Sequence, residues 1–214
     1  MEFLHLILDF VLHLDRHLVE LLMRFDLWIY AIVFLVVFAE TGFVVTPFLP
    51  GDSLLFALGA LAAVDTSGTL SAPAVAALLS AAAILGNTLN YSIGRYIGAR
   101  AFSGNYRFIK VDYLRQTERY FQRHGALTIV LSRFAPIIRT FAPFVAGIGH
   151  MHYGRFQAYN VVGAVLWVNL LTWAGYFFGN LPWIRDNFGL VTIGIIVVSM
   201  LPMVLMLFRR EAAG

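Results

Sequence analysis

Cysteine is absent from this chain, which excludes a disulfide framework and thiolate metal sites and leaves the redox compartment open. Charge is scarce as well: 13% of the 214 residues are Asp, Glu, Lys or Arg, against 60% hydrophobic. Gly-x-Gly-x-x-Gly and P-loop patterns are missing, so no process at this chain is expected to be driven directly by ATP. No cleavable signal is expected either. The first apolar run is interrupted by His5, Asp9 and His13, and no small-x-small site follows, so insertion is expected to rely on the spans themselves. With a mean hydropathy of +0.78, the expectation is an all-α, polytopic integral membrane protein forming a single membrane domain over residues 1–214. The excess of Lys+Arg over Asp+Glu, 15 against 12, reads in so apolar a chain as positive-inside bias and not as a nucleic-acid surface.

Two hydrophobic stretches are broken where a simple span would run on. Residues 27–64 exceed the roughly 20 residues of one span. Their middle carries Gly42, Pro47, Pro50 and Gly51 together with two acids, Glu40 and Asp52. Proline withholds a backbone donor and clashes with the preceding turn, so a continuous helix through Pro47–Gly51 is not expected. Residues 125–151 repeat the theme with Pro136 and Pro143, now carrying Arg133 and Arg139. Broken backbone and charge are tolerated at membrane depth only where protein or a water-filled cavity surrounds them, so both stretches are predicted to be re-entrant or broken and opposed to one another.

The remaining segments are simpler. Residues 1–26 pattern as an amphipathic helix, with His5, Asp9, His13, Arg16, Glu20 and Arg24 on one face. His13 and His17 have a metal-compatible spacing, but a solvated polar face explains them without an acid motif, and neither metal nor cofactor is expected. Spans are predicted over 74–94, 156–178 and 189–208. Gly86, Asn90, Gly94 and Gly98 recur at every fourth residue of the first, a small-residue stripe suited to close helix packing. Asn160, Asn169 and Thr172 of the second are candidate interhelical hydrogen-bonding groups. Residues 95–124 are rich in Arg and aromatics and fit a cytoplasmic interfacial helix against anionic headgroups. With Arg209 and Arg210 at the chain's end, a cytoplasmic C-terminus follows.

Isolated charge mid-membrane costs roughly 2.5–3.5 kcal/mol per residue on insertion scales, so the four charged residues are expected to face inward, Glu40 and Asp52 near Arg133 and Arg139. Helices starting after Gly51, with Asp52 or Ser53 as cap, and near Thr140 would point free N–H groups into the same region. Guanidinium forks match phosphate oxygens bidentately. The predicted binding residues for an anionic headgroup are therefore Arg133, Arg139, Gly51, Ser53 and Thr140, with Glu40 and Asp52 as ion-pair and proton-coupling acids and Pro47, Pro50, Pro136 and Pro143 as structural breaks. A purely structural role for the acid–arginine pairs, holding the two broken segments together, accounts for the same residues and stays open.

The combination of Glu40, Pro47-Phe-Leu-Pro50-Gly51-Asp52, GNTLNYSIGRYIG at 86–98, Arg133-Phe-Ala-Pro136-Ile-Ile-Arg139-Thr140 and Ala146-Gly147 with Met151 resembles the DedA family of bacterial inner-membrane proteins, within the SNARE-associated Golgi protein group. The likeness runs from about residue 27 to 208; Asn87 departs from it, standing where relatives carry Asp. What the resemblance implies is a bacterial inner-membrane protein with two opposed re-entrant segments that moves a lipid between leaflets, undecaprenyl phosphate first and phosphatidylethanolamine second. It also implies functional acids at Glu40 and Asp52 and functional arginines at Arg133 and Arg139. The partners expected are an anionic lipid and protons, with self-association compatible. A proton-coupled cation or drug antiporter is the alternative class. A lipid phosphatase is the other; His124, His150 and His152 are available to it, but no Pro-Ser-Gly-His sequence is present.

Overall fold

The computed structural model describes residues 27–43, 51–102, 127–134, 136–187, 190, 191 and 193–195. The amphipathic helix expected over 1–26 with His13 and His17, Pro47 and Pro50, the basic segment from 103 onward with His124, most of the span expected over 189–208 and the C-terminus lie outside these residues. Among the described residues the architecture is all-α, as the composition predicts. The helices are α1 (Trp28–Gly42), α2 (Gly51–Val64), α3 (Ala72–Phe102), α4 (Leu127–Ser132), α5 (Pro136–Ile148), α6 (Tyr153–Phe178) and α7 (Pro182–Asp186). Two are long and apolar enough to cross a membrane, Ala72–Ile97 within α3 and Tyr153–Phe178. The shorter apolar helices α1, α2 and α5 fall in the two stretches predicted to be broken.

The second broken stretch interrupts at a different place from the one its prolines suggest. α4 ends in a turn at Arg133 and Phe134, whose N–H groups reach back to the carbonyls of Val130 and Leu131 at 3.3 and 3.2 Å. α5 then begins at Pro136, the position where a missing N–H costs least and the fixed φ favours a helix. Pro143 does not break α5 but lies inside it. Its effect is local: it withholds the N–H that the carbonyl of Arg139, four residues earlier, would otherwise accept. Thr140 is accordingly a residue of the helix interior and not a helix start, so it supplies no free N–H.

α5 stops by a left-handed residue. His150 has φ 52°, the N–H of Met151 reaches the carbonyl of Ala146 at 3.0 Å, and that of His150 reaches Gly147 at 3.1 Å. This is the double closure of a Schellman turn, with His in the place where Gly is usual. It sends the chain directly into α6.

The contacts divide the chain into two compact units. The first contains residues up to 36 with most of α1, then α2, the first turns of α3, and α6 from Trp167. In it the Tyr30 hydroxyl donates to the carbonyl of Thr69 at 3.1 Å and accepts from the Ser71 N–H at 2.9 Å, pinning α1 to the α2–α3 turn. α2 and α6 meet through glycine: a Cβ on Gly59 would overlap the Thr172 carbonyl, and one on Gly175 would overlap the Phe56 carbonyl. The second unit contains residues 37–48 and 80–166. There α3 and α5 interlock in the same way, Gly94 against the Phe144 carbonyl and Gly147 against the Tyr91 carbonyl. Tyr91 is the hub of this unit's core. Its ring stacks on Phe156 at 4.3 Å, and its hydroxyl donates to the carbonyl of Met151.

The exposed turn between α2 and α3 is organised by Asp65. Its carboxylate accepts from the Ser67 hydroxyl at 2.5 Å, the Ser67 N–H at 2.9 Å and the Leu70 N–H at 2.7 Å. The Ser67 hydroxyl and then the Leu70 N–H hold this carboxyl below its ordinary value of 3.8. A carboxylate depressed in the fold stabilises it above the unfolded value, and that contribution is lost as pH falls through the lower folded one. Asp65→Ala is expected to speed amide exchange at Ser67 and Leu70 at neutral pH; unchanged protection would show the turn holds without it.

Candidate functional site

Three charged residues of the second unit, Glu40, Arg133 and Arg139, are buried. Glu40 sits in the last turn of α1 with 0% exposure, and Arg139 in the first turn of α5 is also buried. Arg139 Nη2 donates to Glu40 Oε1 in a buried ion pair. One residue beyond each partner, Asn90 of α3 donates its Nδ2 to the carbonyl of Thr41 at 3.2 Å and to that of Thr140 at 2.7 Å. A single amide thus ties together the two helix segments that carry the pair. Gly86, one turn earlier on α3, lets the end of α1 approach, since a Cβ there would overlap the Thr41 hydroxyl. The small-residue stripe of α3 therefore works as a packing surface, aligning the elements that bear the acid and the base.

Arg133 is held differently. It is 2% exposed, yet no carboxylate lies within ion-pair distance of it among the described residues. Nη2 donates to Asn160 Oδ1 at 2.7 Å, with the carbonyls of Asn160 and Ala83 at 3.4 and 3.5 Å. The Nε atom is buried and has no hydrogen-bond partner. The described charge that acts on this guanidinium is another cation, Arg139. Gly163, one turn beyond Asn160 on α6, lies close beside it: a Cβ at that position would be 3.1 Å from Nε and from Cδ. Asn160 itself is locked by Nδ2 donating to the Ile84 carbonyl at 3.1 Å and to Gln157 Oε1 at 2.8 Å. Gln157 Nε2 in turn donates to the Thr88 hydroxyl at 2.9 Å and the Tyr153 hydroxyl at 3.0 Å.

In the first unit α2 begins at Gly51, and Gly51, Asp52 and Ser53 are all buried. Trp167 Nε1 of α6 donates to Asp52 Oδ1 at 3.0 Å. Of the predicted residues, the structure brings Glu40 and Arg139 into contact and places Arg133 and Thr140 in the same unit. Gly51, Asp52 and Ser53 belong to the other unit. Pro136 opens α5, and Pro143 sits within it. Three contributors were not named as site residues from the sequence. Asn160 was expected as an interhelical hydrogen-bonding group and Asn90 as part of the small-residue stripe, neither as part of a site, and Trp167 gave no signal beyond its place in a span. Among the described residues, no group of three His, Cys, Asp or Glu side chains is arranged to hold a metal ion.

Comparison with known proteins bears on what these arginines and acids serve. The family model described as VTT domain matches residues 49–177, more than half of the chain. The chain is 52% identical over 215 residues to Protein DedA of Escherichia coli (strain K12), covering 100% of this chain and 98% of that protein. It is 42% identical over 168 residues to an uncharacterized membrane protein of Mycobacterium leprae (strain TN), covering 78% and 74% respectively. It is 34% identical over 180 residues to Inner membrane protein YghB of Escherichia coli (strain K12), covering 84% and 78%. No solved structure matches. With a buried acid–arginine pair, a second buried arginine and these matches, the chain belongs to the DedA family of VTT-domain proteins, multi-pass bacterial inner-membrane proteins of the membrane-transport class.

Proposed function

We propose that this protein moves an anionic lipid, of the polyprenyl phosphate class, between the leaflets of the inner membrane. The observation that carries the reading is Arg133: a buried guanidinium held by neutral oxygens in a chain where burying a lone cation is costly. Such a charge is best accounted for as the binding group for an oxyanion, and a planar fork matches phosphate in a way a point cation does not. Arg139 complements it through Glu40. Protonation of Glu40 would release Arg139 toward the headgroup, which would couple lipid movement to proton entry. Asp52, hydrogen-bonded by Trp167, is the second acid that could exchange a proton. A cation antiporter would use the carboxylates alone, and the engagement of Glu40 with a guanidinium favours the anion reading.

The test uses full-length protein in proteoliposomes with a labelled short-chain polyprenyl phosphate. Arg133→Lys and Arg139→Lys keep the charge but lose the fork, and each is expected to lower the transfer rate about tenfold or more, as the loss of one charge-assisted hydrogen bond would. Wild-type rates in both would reduce the arginines to charge balance. A rate indifferent to an imposed pH gradient would remove the proton step while leaving the lipid assignment standing.

A further inference from the structure

Arg133 and Arg139 differ in one respect: Arg139 has a carboxylate partner, whereas Arg133 has a carboxamide in the corresponding place. Asn160 is neutral and buried, and its own donors to Ile84 and Gln157 aim its Oδ1 at Nη2. An Asp at 160 could accept the same hydrogen bond and would neutralise the buried charge. Folding stability alone gives no reason to prefer the amide at that point, because an uncompensated buried cation is the more costly arrangement.

The guanidinium's side edge presents two parallel N–H groups, from Nε and Nη2. Nη2 is capped by Asn160; Nε is buried without a partner, and the α6 backbone at Gly163 runs so close that a Cβ there would stand 3.1 Å from it. A phosphate approaching side-on would bring one oxygen to Nε and a second to Nη2, displacing Oδ1. We propose that Asn160 stands in for a phosphate oxygen: it caps Nη2 of Arg133 in the empty site, leaves the charge uncompensated, and yields Nη2 to the headgroup. The inference rests on the transport reading above and names the edge of Arg133 that would receive the ligand. The polar line Tyr153–Gln157–Asn160, spaced along one face of α6, would keep Asn160 hydrogen-bonded after it has yielded.

Two substitutions at this position are expected to act in opposite directions. Asn160→Asp supplies a fixed anion, so Arg133 becomes ion-paired. The ligand-free protein is expected to unfold at the same temperature or higher, and affinity for a short-chain polyprenyl phosphate should fall about tenfold or more, in line with the coupling of close charge pairs. Asn160→Ala removes the competing oxygen and is expected to tighten binding about threefold, at some loss of stability in the ligand-free state. The measurement is the shift in unfolding temperature of purified full-length protein titrated with that lipid, with inorganic phosphate as a parallel arm.

A merely structural amide predicts binding that follows stability, unchanged in Asn160→Asp and weaker in Asn160→Ala. That result, or Asn160→Asp binding like wild type, would overturn the assignment. Should Asn160→Asp fail to fold, the alanine variant decides alone: tightening supports the inference and weakening overturns it. Wild-type protein stabilised by inorganic phosphate as strongly as by the lipid would keep the anion edge and remove the lipid. Wild-type protein stabilised by neither would remove the transport reading and this inference with it.

Discussion

Glu40→Ala is expected to destabilise the protein by about 3–5 kcal/mol, the range for removing one partner of a buried ion pair. The cost arises less from the lost attraction than from leaving the Arg139 guanidinium in a desolvated place without its carboxylate. Two comparisons separate the cause. Glu40→Gln keeps an acceptor oxygen in reach of Nη2 and should recover part of the loss. Glu40→Ala combined with Arg139→Met removes both charges and should be more stable than Glu40→Ala alone, as expected of groups that couple directly. Thermal unfolding in detergent, followed by loss of helical signal, reads all of them. An unfolding temperature unchanged in Glu40→Ala would mean that the pair contributes nothing to the fold.

Gly94→Val and Gly147→Val are expected to disrupt the second unit, each at the upper end of the roughly 1–3 kcal/mol typical of overpacking. The new Cβ at 94 meets the Phe144 backbone and that at 147 meets the Tyr91 backbone, and a backbone cannot swing aside as a side chain can. α3 and α5 must separate, and with them the Asn90 hydrogen bonds that align Glu40 with Arg139. The combined variant should cost less than the sum, because the first separation makes room for the second. Gly59→Val and Gly175→Val test the matching contact of α2 with α6 in the first unit. Gly194→Ala is the control: among the described residues nothing lies within 4 Å of a Cβ there, and its effect is expected within about 0.5 kcal/mol. Yield of monodisperse protein and unfolding temperature check the series. Wild-type behaviour of Gly94→Val would contradict the close approach.

The parts of this site that were legible in the sequence are those where cost alone dictates arrangement. An acid and an arginine in apolar stretches must find protein, and Glu40 and Arg139 do meet. The spacing of Gly86, Asn90 and Gly94 likewise announced a packing face, because small residues at every fourth position of a helix let a neighbour approach closely. The placement of breaks was harder. Proline at 143 was expected to interrupt its helix, but the tertiary frame holds α5 through it, while Pro136 is where the helix starts. Position along the helix, not residue type, decides whether a proline breaks it. Hydrogen-bond partners were illegible altogether: nothing in the order of residues says that Asn160 faces Arg133 or that Trp167 faces Asp52. Those pairings span 27 and 115 residues and are set by how the helices pack.

The measurement that bears most directly on the function is headgroup-resolved lipid transfer in proteoliposomes. A polyprenyl phosphate and ordinary phospholipids would be followed side by side with wild-type and Arg133→Lys protein. Faster crossing of the phosphate lipid than of the others, lost in the variant, is the predicted result. Crossing no faster than in protein-free vesicles, or equal for every headgroup, would contradict an anion-selective path built around this arginine.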